Sequence, residues 1–96
     1  MVEPVLGPEL AKIVLCHHER PDGRGYPYEL RGEQIPLLSR VLAICDAYVA
    51  MTDEDSYRLP ESRETALSTI TRAAGQQFDA ELTPRFVQMI RRSPLT

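Results

Sequence analysis

Hydrophobic residues recur at helical spacing in four segments of the chain, and this pattern predicts an all-helical fold. The second segment is apolar nearly all round, which is typical of a central, buried helix. In the first segment, positions i, i+3, i+4 and i+7 form one inward face, occupied by Leu10, Ile13, Val14 and His17. About four helices are predicted, over residues 8–19, 36–52, 62–74 and 80–92.

Residues at the segment ends support these boundaries. Ser62 can cap the third helix, and Gly75 suits the position just after its end. Two starts of the fourth helix stay open: Asp79 can cap it, or Thr83 can cap it with Pro84 in the first helical position. The residues of these two helices expected to face inward are Ala66, Leu67, Ile70, Ala73, Leu82, Phe86, Met89 and Ile90.

A long loop, residues 20–35, separates the first two helices and is rich in glycine and proline. Pro21, Asp22 and Gly23 predict a turn, since proline presets φ and glycine supplies a positive φ. A second turn is expected around Gly32. Long loops without secondary structure are uncommon in compact domains and are usually functional.

The chemistry of this loop admits two interpretations. Tyr26 and Tyr28 can stack on a base, while Arg20 and Arg24 can meet phosphate. Alternatively, the loop is a rigid surface element whose tyrosines pack on the helices. The segment does not match the glycine-rich phosphate loop of nucleotide-binding proteins, and it does not follow a strand.

Composition narrows the possible functions. The 96 residues include 11 Lys and Arg against 14 Asp and Glu, for a net charge of −3. This balance argues against a basic DNA-binding domain, and no apolar run is long enough to predict a membrane span. With no secretory signal pattern, a cytoplasmic location is expected. Cys16 and Cys45 stand in apolar stretches and are expected to be buried, reduced thiols.

Two adjacent histidines and one aspartate are the candidate metal ligands. His17 and His18 are both expected to turn inward, and they can serve a two-metal centre or be one packed and one solvated histidine. Asp46 lies in the most apolar helix, where an unpaired buried carboxylate is costly. No arginine stands three or four residues away, so a metal ligand and a cross-helix ion pair remain as alternatives.

The segment HHERPDGRGYP resembles the sequence motif of HD-GYP domains, a subset of the HD metal-dependent phosphohydrolases. The resemblance continues through GEQIPLLSRVLAICDAYVAMT and TRAAGQQFDAELTPRFVQMI, and it covers about residues 8–92. It implies a helical domain related to cyclic di-GMP phosphodiesterases, with a centre of two or three metal ions, often iron or manganese.

Carried over residue by residue, the resemblance implies that His17, His18 and Asp46 are metal ligands. It also implies that the loop of residues 20–35, here called the GYP loop, borders the substrate site and contacts protein partners. The residues it assigns to substrate or partner binding are Asp22, Gly23, Gly25, Tyr26, Pro27 and Arg58.

The chain also departs from the family pattern. Val49 and Asp55 replace an aspartate and an arginine that are common there, and the name-giving His-Asp pair has no counterpart. We therefore expect residues 1–96 to be a single partial HD-GYP domain, the C-terminal half. It is expected to be inactive alone and to act in signalling or partner binding. The alternative is a metal-dependent cyclic di-GMP phosphodiesterase completed by an upstream half.

Uncovered apolar faces predict self-association. In a complete domain of this family, upstream helices would cover Leu10, Ile13 and Val14, together with part of the side carrying Leu38, Leu42 and Val49. Exposed apolar patches larger than a few hundred Å² mark interaction sites. A two-fold homodimer built on the 8–19 helix is therefore expected.

Overall fold

The structure, a computed structural model, describes residues 7–53 and 59–93. Within these ranges it is all-helical, which confirms the predicted fold class. The helices are α1 (Pro8–Leu15), α2 (Leu37–Thr52), α3 (Arg63–Arg72) and α4 (Leu82–Arg92). Single 3-10 turns lie at Cys16–His18 and Gly32–Gln34. None of the helices in these ranges has the length and apolarity needed to cross a bilayer.

Side-chain caps account for the starts of α3 and α4. The Thr65 N–H donates to the Ser62 hydroxyl at 3.2 Å, as expected for an N-cap. At α4, the N–H groups of Glu81 and Leu82 each donate to Asp79 Oδ1 at 2.9 Å. Asp79 thus accepts two amides at this end, but the N-cap position is Glu81, because the helix begins two residues later than predicted. The alternative cap, Thr83, lies inside the helix.

The hydrophobic core lies between α2, α3 and α4. Tyr48 meets Phe86 edge to face, with ring centroids 5.6 Å apart, an arrangement that aromatic pairs prefer. Phe78, in the connection before α4, belongs to the same cluster. The buried residues of the core are Ile44, Tyr48, Ala66, Leu67, Ile70, Phe78, Phe86, Val87 and Ile90.

The expectation that α2 is buried all round is wrong. Only Ser39, Ile44 and Tyr48 of this helix are buried, because α3 and α4 cover one side of it. Met89 of α4 and Leu10 of α1, both expected inward, are also exposed. The exposed apolar residues of α2 are Leu37, Leu38, Val41, Leu42 and Val49.

Polar contacts attach α1 and the loop to this core. The Ser39 hydroxyl donates to the Ile13 carbonyl at 2.8 Å, satisfying one of the carbonyls left open at the end of α1. The Arg40 guanidinium donates to the Ile35 carbonyl and also pairs with Asp79, at 2.8 Å. Arg40 thus ties the end of the loop to the start of α4.

The two cysteines differ in environment. Cys16 is buried as expected, whereas Cys45 is only partly buried, which corrects the expectation for that residue. Both are free thiols, and desolvation raises the pKa of each. Neither environment favours the reactive thiolate form.

Candidate functional site

The three candidate ligands line one cleft of about 200 Å³. His17 and His18 come from the 3-10 turn after α1, and Asp46 comes from the middle of α2. We call this the histidine cleft. Its full lining is His17, His18, Glu19, Arg20, Ala43, Asp46, Ala47, Ala50, Gln77 and Phe78.

His17 is oriented by a backbone contact. Its Nδ1–H donates to the Val14 carbonyl oxygen. A carbonyl only accepts, so this contact places a proton on Nδ1, and in the neutral imidazole the lone pair is then on Nε2. This is the arrangement in which a histidine presents Nε2 to a metal ion.

His18 differs from its prediction, because it is exposed rather than turned inward. The prediction assumed α-helical spacing from Val14, but the backbone tightens to a 3-10 turn at Cys16, which changes the direction of each following side chain. The His18 ring lies 3.9 Å from the His17 ring and stacks on Tyr26 at 5.0 Å, measured between centroids.

Asp46 is likewise exposed. Its carboxylate lies on the side of α2 that lines the cleft, so the burial cost expected from the apolar surroundings in sequence does not arise. The described residues offer it no ion pair. The cross-helix arginine pair, one of the two alternatives, is therefore not formed in the described part of the chain.

Glu19 is the site residue that sequence reasoning missed. It is buried, and it accepts the N–H groups of Tyr28 at 2.6 Å and Leu30 at 2.8 Å. Each carboxylate oxygen thus holds one amide of the loop, and charge-assisted bonds of this kind are strong. One feature of the sequence could have identified Glu19: it is the charged residue of the HHE segment to which no function was assigned.

Gly25 allows the loop to cross close to the histidine turn. A Cβ at this position would lie 2.4 Å from both the Arg20 nitrogen and the His18 carbonyl oxygen. The next residue, Tyr26, donates its N–H to that same His18 carbonyl, and the peptide bond between Tyr26 and Pro27 is cis. The absence of a side chain at Gly25 therefore positions Tyr26 against His18.

Asp22 and Gly23 form the predicted turn. The Gly23 N–H donates to the Arg20 carbonyl at 2.9 Å, and Gly23 has a φ of +81°. Asp22 accepts from Arg20 at 2.8 Å and from the Arg24 N–H at 3.0 Å. Desolvation alone would raise the pKa of Asp22, but these hydrogen bonds and arginine charges outweigh it and lower the pKa. Arg58, the remaining predicted binding residue, lies outside the described residues.

The donor chemistry of the histidine cleft suits a divalent transition metal, since imidazole and carboxylate are ligands of iron and manganese. The number of converging side chains, however, falls short of a complete metal site. In residues 7–53 and 59–93, no three His, Cys, Asp or Glu side chains converge as a metal-binding group. Glu19 also lines the cleft, but its carboxylate already holds two loop amides. The residues thus fit a metal by type but do not enclose one.

Comparisons with known proteins show the family of the chain. Residues 4–82 match the family model of the HD domain. A cyclic di-GMP phosphodiesterase of Vibrio cholerae is 38% identical over 76 residues, 79% of this chain and 15% of that protein. A cyclic di-GMP phosphodiesterase response regulator of Xanthomonas campestris is 39% identical over 82 residues, 85% of this chain and 21% of the relative.

A solved structure shares the fold. The crystal structure of a cyclic GMP-AMP specific phosphodiesterase of Vibrio cholerae superposes with a TM-score of 0.72 and 28% identity. The match covers 88% of this chain and 19% of that one. The chain therefore spans about a fifth or less of the length of these three relatives.

Proposed function

Because this chain belongs to the HD domain family, we propose that its histidine cleft binds a cyclic dinucleotide such as cyclic di-GMP. The observation that carries the proposal is the single cleft lined by His17, His18, Asp46 and Arg20. Imidazole and carboxylate can hold a cation, and the guanidinium can meet a phosphate. The similar phosphodiesterases support this class of ligand.

We propose further that the chain alone binds this ligand without hydrolysing it at a measurable rate. Metal-activated hydrolysis needs ions held in fixed positions. Three candidate ligands, with Glu19 engaged elsewhere, leave most positions of two octahedral ions to water. The alternative function is that of a metal-dependent cyclic di-GMP phosphodiesterase. It requires an upstream half of the domain that supplies further metal ligands.

A binding and turnover experiment tests both statements. The purified chain with Mn²⁺ or Fe²⁺ is titrated with cyclic di-GMP, and products are followed by chromatography. We expect binding that weakens in Asp46→Asn but not in Glu81→Gln, a control on the exposed start of α4. Undetectable binding would refute the ligand assignment. Turnover abolished by both His17→Ala and Asp46→Ala would refute the inactivity of the chain alone.

Iron or manganese is the metal we propose for this cleft, bound weakly through Asp46 with either His17 or His18. The orientation of His17, with Nε2 left free, supports this choice. Weak affinity follows because few protein ligands contribute to binding.

The GYP loop is the surface we propose for a protein partner in signalling. Tyr26 and Tyr28 are each 61% exposed, and exposed tyrosines are enriched at protein interfaces. Glu19 holds the loop backbone in place, so little ordering would be needed on binding. Substituting both tyrosines by serine should abolish capture of such a partner while leaving the helical content unchanged.

We also propose that the chain forms a two-fold homodimer through α1. The exposure of Leu10, Leu38 and Val49 supports this proposal, since burying apolar surface contributes about 25 cal/mol per Å². Light scattering at tens of micromolar should report twice the chain mass, and Ile13→Asp should dissociate or unfold the dimer. A folded monomer unaffected by Ile13→Asp would refute it. A cytoplasmic location stays a prediction from the sequence.

A further inference from the structure

A second cleft, of about 350 Å³, lies on the loop beside the histidine cleft. We call it the arginine cleft. Arg20 lines both clefts, so the two adjoin at that side chain. The lining consists of Arg20, Asp22, Arg24, Arg31 and Gln76.

The turn at Asp22 assembles this cleft from two parts of the loop and from the connection between α3 and α4. Asp22 forms a β-bridge with Arg31, and its N–H donates to the Gln76 carbonyl at 3.1 Å. Arg31 lies directly over Gly23, because a Cβ on that glycine would come within 2.8 Å of the Arg31 Cγ and Nε. Backbone hydrogen bonds and one glycine therefore bring three arginines together.

The charge of the cleft is positive and only partly compensated. Three guanidinium groups face one carboxylate, and Asp22 already accepts from Arg20 and from the Arg24 N–H. Within the described residues, neither Arg24 nor Arg31 takes part in an ion pair. The Arg20 Nε is buried and has no acceptor in the same part of the chain. An unsatisfied buried donor costs free energy, and an anion in the cleft would supply the missing acceptor.

We propose that the arginine cleft binds a phosphate group. Guanidinium groups present paired N–H donors that match phosphate oxygens. The phosphate can come from two sources: the far side of a dinucleotide whose other end lies in the histidine cleft, or a separate phosphorylated molecule. The site itself stands on the arginine geometry and does not depend on the ligand proposed for the histidine cleft.

Titration with inorganic phosphate at constant ionic strength tests this site. The chain is compared with the double variant Arg24→Gln/Arg31→Gln and with a charge-matched control, Arg72→Gln/Arg92→Gln, whose arginines are exposed on α3 and α4. We expect the loop variant to bind phosphate roughly tenfold more weakly or worse, since charge-assisted hydrogen bonds are lost. The control should bind like the unmodified chain. Equal affinities in the two double variants would overturn the proposal.

A second measurement on the unmodified chain guards against misfolding of the loop variant. In amide and arginine side-chain NMR spectra, phosphate should shift the signals of Gly23, Arg24 and the Arg20 Nε–H. Shifts of similar size along α4, or no shifts at the loop, would overturn the proposal.

Competition with cyclic di-GMP distinguishes the two sources of phosphate. If phosphate displaces the dinucleotide, the arginine cleft holds one of its phosphates; if both bind together, the cleft serves a separate ligand. Phosphate binding without any dinucleotide binding would support this inference while refuting the proposed function. The opposite result is dinucleotide binding that neither phosphate nor Arg24→Gln/Arg31→Gln changes, with no binding of phosphate itself. It would support the proposed function and refute this inference.

Discussion

The two sides of α2 are stabilised in different ways. Toward α3 and α4, the helix contributes Ile44 and Tyr48 to a continuous apolar core. On the side that carries α1 and the loop, two of the described apolar residues are buried outside that core, and hydrogen bonds of Ser39 and Glu19 hold α1 and the loop in place. Apolar packing tolerates exchanges that conserve side-chain volume, whereas each polar contact depends on one side chain. The candidate site therefore depends on a few contacts, each of which a single substitution can break.

Removing a core side chain should have the largest effect. Leu67 is completely buried in α3, so Leu67→Ala should lower the free energy of unfolding by about 2–5 kcal/mol through lost burial and a residual cavity. Leu37→Ala, at a position 53% exposed on α2 and not named in the proposed dimer surface, should change it by about 0.5 kcal/mol or less. Urea denaturation followed by circular dichroism measures both. Equal losses of unfolding free energy in the two variants would mean that the outer side of α2 is also packed. The two sides of α2 would then not differ in how they are stabilised.

Breaking the loop contacts should have a smaller and more local effect. Glu19→Gln removes the negative charge and leaves one oxygen to accept two N–H groups, costing about 1–3 kcal/mol. Hydrogen exchange at Tyr28 and Leu30 should accelerate, while exchange at Leu67 in the core changes less. Glu33→Gln, in the exposed part of the same loop, is the matched control. Unchanged exchange at Tyr28 and Leu30 would show that other contacts hold the loop.

The Arg40–Asp79 pair joins the two regions, and its effect should be the smallest and depend on pH. Desolvation raises the pKa of Asp79, but Arg40 and the Leu82 and Glu81 N–H groups outweigh it and lower the pKa below 3.8. The folded state thus binds this proton less readily than the unfolded state does. Its stabilisation is fully present above pH 3.8 and is lost as the pH falls through the lowered pKa.

Asp79→Asn tests this pair. At neutral pH it should lower the free energy of unfolding by about 1 kcal/mol, and its deficit should shrink as the pH falls below about 4. Denaturation midpoints between pH 2.5 and 7 measure the trend, with Glu81→Gln as the exposed control. A deficit that stays constant over this range would show that Asp79 acts through its cap geometry alone.

Local patterns predicted the helices well, because periodicity and caps such as Ser62 act within one segment. They predicted burial poorly on α2, where the apolar positions outnumber those that α3 and α4 can cover. Ser39 and Ile35 are buried, yet neither stands out in the sequence. The burial of Ser39 could not be predicted because its hydrogen-bond partner, the Ile13 carbonyl, is 26 residues away in the chain.

The residues of the candidate site also differ in how far the sequence predicts them. The HHE and GYP residues could be named from sequence, since the motif is contiguous and specific. The role of Glu19 could not, because its partners Tyr28 and Leu30 meet it only after the loop folds back. The exposure of His18 was missed because the prediction assumed α-helical spacing through a segment that forms a 3-10 turn.

The central claim is that Asp46, together with His17 or His18, binds a cation in the histidine cleft. Titration of Mn²⁺, with the free ion followed by electron paramagnetic resonance, tests it most directly. We predict saturable binding by the unmodified chain, weaker by about tenfold or more in Asp46→Asn and unchanged in Glu81→Gln. Identical isotherms for the unmodified chain and Asp46→Asn would contradict the claim and remove Asp46 from the site.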